Sequence, residues 1–398
     1  MWPDELEAAA DFAYTAMILS GDKKKRLRTL AELEKADGLQ VAVINYESVW
    51  RDGIFEALQA FDPDVIIADE SQRIKSPKAK QSKAMHALGD RARYKLALSG
   101  TPVQNDCTDL WSQYRFLDPS IFGKNFYAFR ARYAILGGFE NRMVVGIKNR
   151  DELIKKEFSR AYRVTKAEAL DLPEQMFVTR HVELEPKAKK IYESLKKNAF
   201  AELENGEITA PTVLTKLLRL QQATGGFIVP DEEEKPEQIS TAKVDALEDI
   251  VADYVESEGK KLVVFVRFRA EIDAIKKMLE KNGVTYEVLA GDVPQAERGE
   301  AVRRFQEEDD PMVVVAQIQC AGLGITLHRA STCVYYSVDF NYANYSQSLA
   351  RIHRAGQTDK CTYIHLVAKG TIDSKVLKAL GDKEEIAKGI VDRWRDYF

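Results

Sequence analysis

The sequence predicts an α/β protein of two units, each a parallel sheet flanked by helices, with a helical insertion between them. Three stretches carry that expectation. Residues 64–72 read DVIIADESQ, where the apolar run Val65 to Ala68 delivers Asp69 and Glu70 to a strand's C-terminal end, the place where open α/β sheets hold ligands. Residues 96–105, LALSGTPVQN, repeat the plan: an apolar strand breaks into a turn of small residues and proline. Residues 347–357, QSLARIHRAGQ, predict a helix with Gln347, Arg351 and Arg354 at i, i+4 and i+7 on one face. Guanidinium groups stay charged at any working pH, so two of them a turn apart are a candidate clamp for phosphate oxygens.

Bulk properties set the bounds. At 398 residues the chain is long enough for two full cores. A net charge of −4 gives no overall reason to expect nucleic acid, so DNA would need a local basic surface. Cys107, Cys320, Cys333 and Cys361 are widely spaced with no CxxC pair, which suggests neither zinc nor a disulfide framework and makes a reducing cytoplasm the simplest home. No apolar run approaches the ~18 residues of a membrane span, and the acidic start MWPDELEAAADF is not a signal peptide.

Taken in order, residues 1–22 open in mid-helix at Trp2-Pro3. KKKRLR at 23–28 is a charge run with the character of a solvated face. LQVAVINY at 39–46 reads as a buried strand and Ile54–Ala60 as a short helix after the Asp52-Gly53 turn. After Asp69-Glu70, residues 73–95 carry Arg73, Lys75, Lys78, Lys80, Lys83, Arg91, Arg93 and Lys95 against the single acid Asp90, a run suited to a phosphate backbone. Asp109 to Leu117 places Leu110, Trp111, Tyr114 and Leu117 at helical spacing, a core face. Between 125 and 170 aromatics alternate with arginines, which we read as packing.

Residues 186–226 look helical, with Val213, Leu214, Leu217, Leu218 and Leu220 on one side and Gly225-Gly226 as the stop. The acidic, proline-containing stretch Asp231 to Glu237 is the best linker. A second α/β alternation follows: strand Leu262–Val266, a helix with Ile272, Ile275, Met278 and Leu279 on one face, strand Val284–Leu289, a helix near Gln295–Gln306, and strand Met312–Ala316. Gln319 to Thr326 is the turn leaving that last strand, where Gly322 and Gly324 permit close backbone approach. His328, His353 and His365 are unpaired in sequence and read as surface or packing residues rather than metal ligands, and residues 371–397 as closing helices. No GxSxG, His/Cys pair or metal-ligand cluster supports a nuclease or hydrolase of another kind.

These motifs together resemble the Snf-two (sucrose-nonfermenting-two) family of helicase superfamily two, most closely its compact bacterial and phage members. Asp69-Glu70-Ser71-Gln72 is similar to the acidic Walker B box, Ser99-Gly100-Thr101-Pro102 with Val103-Gln104-Asn105 to the SGTP box, Ala321 to Ile325 to the fifth motif, and Gln347 to Gln357 to the arginine-finger motif. The resemblance implies two RecA-like lobes, ATP with Mg2+ as cofactors, and movement along double-stranded DNA. It divides the chain into a first lobe at 1–170, a helical insertion and linker at 171–238, and a second lobe at 239–398. It implies Asp69 as the magnesium acid, Glu70 as the group that polarises the attacking water, and Arg351 and Arg354 as stabilisers of transition-state charge. Gln347 and Gly324 would bind nucleotide, Ser99, Gly100 and Thr101 would couple the lobes, and Lys75, Gln104 and Asn105 would meet DNA.

One part of that pattern is not in the chain. A phosphate-cradling loop needs Gly-x-x-x-x-Gly-Lys-Ser/Thr, but Gly123-Lys124 is followed by Asn125 and Gly259-Lys260 by Lys261. We therefore expect either a bacterial or phage fragment whose upstream Walker A part lies in another reading frame or was lost, or a degenerate relative; a separate upstream polypeptide supplying Walker A is a candidate partner. A non-catalytic module that binds DNA or a partner is the alternative.

Overall fold

The computed structural model describes residues 2–137, 143–204, 210–229 and 235–391. The chain forms two compact units, one of Met1–Tyr162 with Glu385–Phe398 and one of Arg163–Glu384.

In the first unit, strands β1 (Tyr14–Ile18) and β2 (Leu39–Val43) pair in parallel, as do β3 (Val65–Ala68) and β4 (Tyr94–Ala97). The expected helices at 54–60 and 109–117 are Ile54–Phe61 and Asp109–Leu117. Leu30, Leu33, Val49, Ile54, Leu58, Met85 and Leu88 close one core, with Ala68 and Ile74 beside them. A second core gathers Leu110, Trp111 and Tyr114 against Phe129, Tyr133, Leu153 and Ile154, so Phe126, Phe129 and Tyr133 are packing as expected, whereas Tyr127 and Tyr162 are exposed. A hairpin of β5 (Ala134–Gly137) and β6 (Met143–Ile147) flanks it.

The second unit is built on six parallel strands. They run in the order Tyr286–Leu289, Val313–Gln317, Leu262–Val266, Thr332–Tyr335, Cys361–Ala368, Gln175–Val182, numbered in chain order β7 (Gln175–Val182), β8 (Phe227–Ile228), β9 (Glu237–Gln238), β10 (Leu262–Val266), β11 (Tyr286–Leu289), β12 (Val313–Gln317), β13 (Thr332–Tyr335) and β14 (Cys361–Ala368), with β8 and β9 forming a separate antiparallel pair. Every residue of β10, β13 and β14 is buried. Helices on both faces of a parallel sheet leave no solvated side, which is why these strands read as unbroken apolar runs.

Two sequence-based boundaries shift. Gln175–Val182 falls in the stretch expected to be a helical insertion, yet it is the edge strand of the second sheet, in parallel register with β14. The helices that follow are Pro186–Glu204 and Ala210–Thr224. Gly226 ends them at φ +95°, and a Cβ there would lie 2.6 Å from the Ser240 carbonyl oxygen, so only glycine fits. Of the expected linker, residues 231–234 lie outside the described residues, and Glu237 already belongs to β9.

Candidate functional site

The acids of the first unit sit where the strand plan puts them, at the end of β3, and their aim is fixed by backbone shape. Glu70 has φ 50° and ψ 51°, the left-handed region that a residue with a Cβ rarely adopts. Asp69 is held from three directions. Its Oδ1 accepts the Glu70 N–H at 3.0 Å, its Oδ2 accepts the Trp2 indole N–H at 3.2 Å, and its carbonyl accepts the Tyr46 hydroxyl at 2.6 Å. Burial, reinforced by the Asp69 charge, pushes the Tyr46 hydroxyl well above its ordinary pKa, so it stays a donor.

A hydrogen-bond chain leads away from these acids. Gln72 donates to the Glu70 carboxylate and accepts from the Ser99 hydroxyl at 2.6 Å. Ser99 Oγ in turn accepts the Thr101 N–H at 3.1 Å, and the Gln104 amide reaches Thr101 Oγ1 at 3.4 Å. Lys75 Nζ closes the chain on Gln104 Oε1 at 2.7 Å, with Asp109 at 3.6 Å. Asp109 Oδ2 accepts the N–H groups of both Gln104 and Asn105, at 2.9 and 2.8 Å. Burial raises the Asp109 carboxyl, with Lys75 and those two N–H groups opposing the shift.

Asp69, Glu70, Ser99, Gly100, Thr101, Lys75, Gln104 and Asn105 therefore share one network and its connecting turn. Gly100 lies in that turn, with open space where a Cβ would stand. Much of the surrounding basic run is committed elsewhere: Arg73 pairs with Glu47, Arg91 with Asp62, and Lys80 lies 4.5 Å over the Trp50 ring.

In the second unit the helix carrying Gln347 and Arg351 spans Tyr342–Ile352. The expectation of one helix through Gln357 is corrected here. His353 leaves helical geometry at ψ 84°, and Gln357 Nε2 caps the carbonyl of Ile352 at 3.2 Å, so Arg354 lies beyond the helix end rather than on its face. The two arginines still converge. Arg351 Nη1 donates to the Ile325 carbonyl at 3.2 Å, and Arg354 Nη1 reaches the same oxygen at 3.4 Å and Thr326 Oγ1 at 2.7 Å. Gly324, at φ 71°, turns the backbone into that position. His328 nearby is held below its ordinary pKa by burial first and then by the charges of Arg354 and Arg329.

The donor set suits Mg2+. Magnesium is a hard cation usually held by one or two carboxylates together with waters and substrate phosphates, not by a full protein cage. Asp69 and Glu70 supply such oxygens, and among the described residues no group of three or more His, Cys, Asp or Glu could hold a metal alone. Sequence reasoning placed Gln72 in the acidic box but missed its bridging role, and it missed the supports Trp2 and Tyr46 altogether. Nothing in the spacing of residues 2, 46 and 69 announces that they meet.

Comparison with known proteins agrees with these motifs. The SNF2-related domain profile matches residues 1–225, and the helicase conserved C-terminal domain matches residues 242–356. The putative ATP-dependent helicase/translocase YwqA of Bacillus subtilis is 27% identical over 98% of the chain and 42% of its own length. An uncharacterized ATP-dependent helicase of Mycoplasma genitalium is 26% identical over 81% of the chain and 30% of its length. Mouse chromodomain-helicase-DNA-binding protein 1-like is 25% identical, with 98% and 43% covered. The chain thus spans less than half the length of these relatives. The Sulfolobus solfataricus SWI2/SNF2 ATPase core in complex with dsDNA aligns at 24% identity and a TM-score of 0.45, over 99% of the chain and 81% of that core. The chain belongs to the SNF2-related domain family: an α/β protein of RecA-like lobes with a helicase conserved C-terminal domain in its second unit.

Proposed function

We propose that the chain is part of an ATP-driven translocase on double-stranded DNA that needs a phosphate-cradling segment in addition to the residues given. The observation that carries this reading is the unbroken path from Glu70 through Gln72, Ser99, Thr101 and Gln104 to Lys75. A carboxylate suited to orienting water is thereby tied to the polar residues whose motif lies along DNA in the family. In the complete enzyme Asp69 would hold magnesium and Glu70 would align the attacking water, while in the second unit Arg351 and Arg354, with Gln347 and Gly324 beside them, would neutralise phosphate charge. Arginines in this role are worth roughly a thousandfold or more in rate.

Phosphate release and duplex-DNA anisotropy on the isolated chain test the proposal. We expect salt-sensitive duplex binding with phosphate release at background. Clear DNA-stimulated turnover by the chain alone overturns the need for a separate segment, and lack of duplex binding overturns the DNA assignment. The lack of a Gly-Lys-Ser/Thr loop in the sequence also favours a second reading, a non-catalytic DNA-binding or partner-binding module. Under that reading DNA binding persists and no added segment restores turnover.

A further inference from the structure

The first unit carries a cleft that the network from Glu70 to Lys75 does not use. It has a volume of about 590 Å³ and is lined by Trp50, Arg51, Asp52, Lys80 and Lys83, the size of a site for one small-molecule-sized group. One wall is an indole. Trp50 follows the short helix Tyr46–Val49 and packs against the core that includes Val49 and Leu58, yet it is only half-buried. The core holds the ring in place while the remainder of it faces the cleft.

The rest of the lining is cationic. Lys80 and Lys83 are exposed and stand at i and i+3 on the helix Lys80–Gly89, and Lys80 Nζ lies 4.5 Å from the centre of the Trp50 ring. A further cation comes from the KKKRLR run. A Cβ built on Gly53 would stand 2.6 Å from Lys23 Nζ, so that ammonium lies against the backbone next to Asp52. Arg51, Lys80, Lys83 and Lys23 thus surround the single lining carboxylate, that of Asp52.

An aromatic face among excess cations has the chemistry to hold an unpaired nucleotide, whose base stacks on the ring while its phosphates meet the ammonium groups. Duplex DNA does not match it. Paired bases are stacked on one another and show only their edges in the grooves, and a double helix is too broad to enter a cleft of this volume. We infer that the cleft takes single-stranded DNA, with one unstacked base on the Trp50 indole and the flanking phosphates on Lys80, Lys83, Arg51 and Lys23. The incoming base displaces Lys80 from the ring toward a phosphate, an exchange that a weak, exposed cation–π contact allows. A free nucleotide shares this chemistry, but cations supplied from two segments, at Lys23 and at Lys80 with Lys83, suit a run of phosphates. Asp69, Glu70, Gln104 and Asn105 do not line the cleft, so the inference holds whether or not the chain hydrolyses ATP.

The test measures binding of a labelled oligothymidylate and of a mixed-sequence duplex by anisotropy, with free thymidine monophosphate as competitor. We expect the oligothymidylate to bind and to quench tryptophan fluorescence, and Trp50→Leu to lose that quench. Trp50→Leu should weaken single-strand binding by roughly tenfold, while duplex affinity moves by less than about twofold, since no cation is removed. The double variant Lys80→Gln, Lys83→Gln changes only exposed side chains and should keep the fold. It should reduce the slope of log affinity against log salt for the single strand by about 1.4, the share of two phosphates left unneutralised. The proposal is overturned if a folded Trp50→Leu binds the single strand as before, if it weakens duplex and single strand alike, or if the monophosphate competes as well as the oligomer, mole for mole. Should Trp50→Leu fail to fold, an unchanged salt slope in the lysine variant overturns it. Loss of duplex binding with the single strand still held sinks the translocase reading and leaves the cleft standing, so the two failures are distinguishable.

Discussion

The Ser99 hydroxyl donates to Gln72 Oε1 at 2.6 Å, and the same amide group donates its N–H to Glu70. The amide serves both neighbours at once because its oxygen accepts from a hydroxyl while its nitrogen donates to a carboxylate. A carboxylate or an aliphatic side chain at position 72 would satisfy at most one of them.

Gln72→Leu should therefore uncouple the two motifs. Under the function proposed above, with a phosphate-loop segment supplied, we expect DNA stimulation of phosphate release to fall by roughly 10- to 100-fold, the worth of a hydrogen bond to a charged group. Duplex affinity should move by less than about twofold, since no DNA-facing cation is removed. Steady-state phosphate release over a DNA titration separates the two quantities.

Arg354 ties the end of its helix to the turn at Ile325 and Thr326. Arg354→Lys keeps the charge but replaces the planar guanidinium, whose Nη1 reaches both oxygens, with a shorter, freely rotating ammonium. Hydrogen exchange at Gly324–Leu327 should speed by about tenfold in this variant, while exchange in β10 stays as it was. A turn whose exchange does not change would show that Arg351 alone holds it.

Lys243 is a buried cation, 2% exposed, that donates to Asp373 at 2.8 Å and to the Tyr336 carbonyl at 2.9 Å. Lys243→Met leaves the Asp373 carboxylate without its counter-charge inside the second unit. We expect a loss of about 3–5 kcal/mol in denaturant unfolding of that unit. The double variant Lys243→Met, Asp373→Asn should recover part of it.

His365 gives the second unit a pH dependence. Its ring stacks on Tyr335 at 4.7 Å and bonds to the Tyr345 hydroxyl at 3.0 Å, and burial lowers its pKa from the ordinary 6.5 to about 4. Between those values the unfolded chain takes up a proton that the folded one refuses, so stability is full above pH 6.5 and declines as pH falls toward 4. The loss amounts to about 3 kcal/mol at its limit. His365→Phe keeps the stack and should flatten the melting temperature across that window.

How far the sequence spoke depended on whether a residue's role was local. Val65–Ala68 and Leu262–Val266 were legible because each is a short apolar run ending in a chemically distinct turn. The helix Asp109–Leu117 was legible from the spacing of Leu110, Trp111, Tyr114 and Leu117. β7 was not, because QMFVTRHV mixes polar and apolar residues and becomes a strand only by lying along Cys361–Ala368. Arg354 was assigned to a helix face because nothing in HRAGQ shows that Gln357 will turn back to cap Ile352. Trp2 and Tyr46 were silent for the same reason, since their bonds to Asp69 span 67 and 23 positions.

The late pairing of β7 also orders events during synthesis. Gln175 meets Tyr363 across 188 positions of chain, and Phe177 stacks on the same tyrosine ring at 5.0 Å. On the ribosome this strand must wait, unpaired, until nearly the whole second unit has emerged, and closing so large a loop carries an entropic cost that grows only logarithmically with its length. A recombinant piece begun at residue 239 would leave the β14 edge bare and invite strand addition from neighbouring molecules, whereas one begun at 163 carries its own protection.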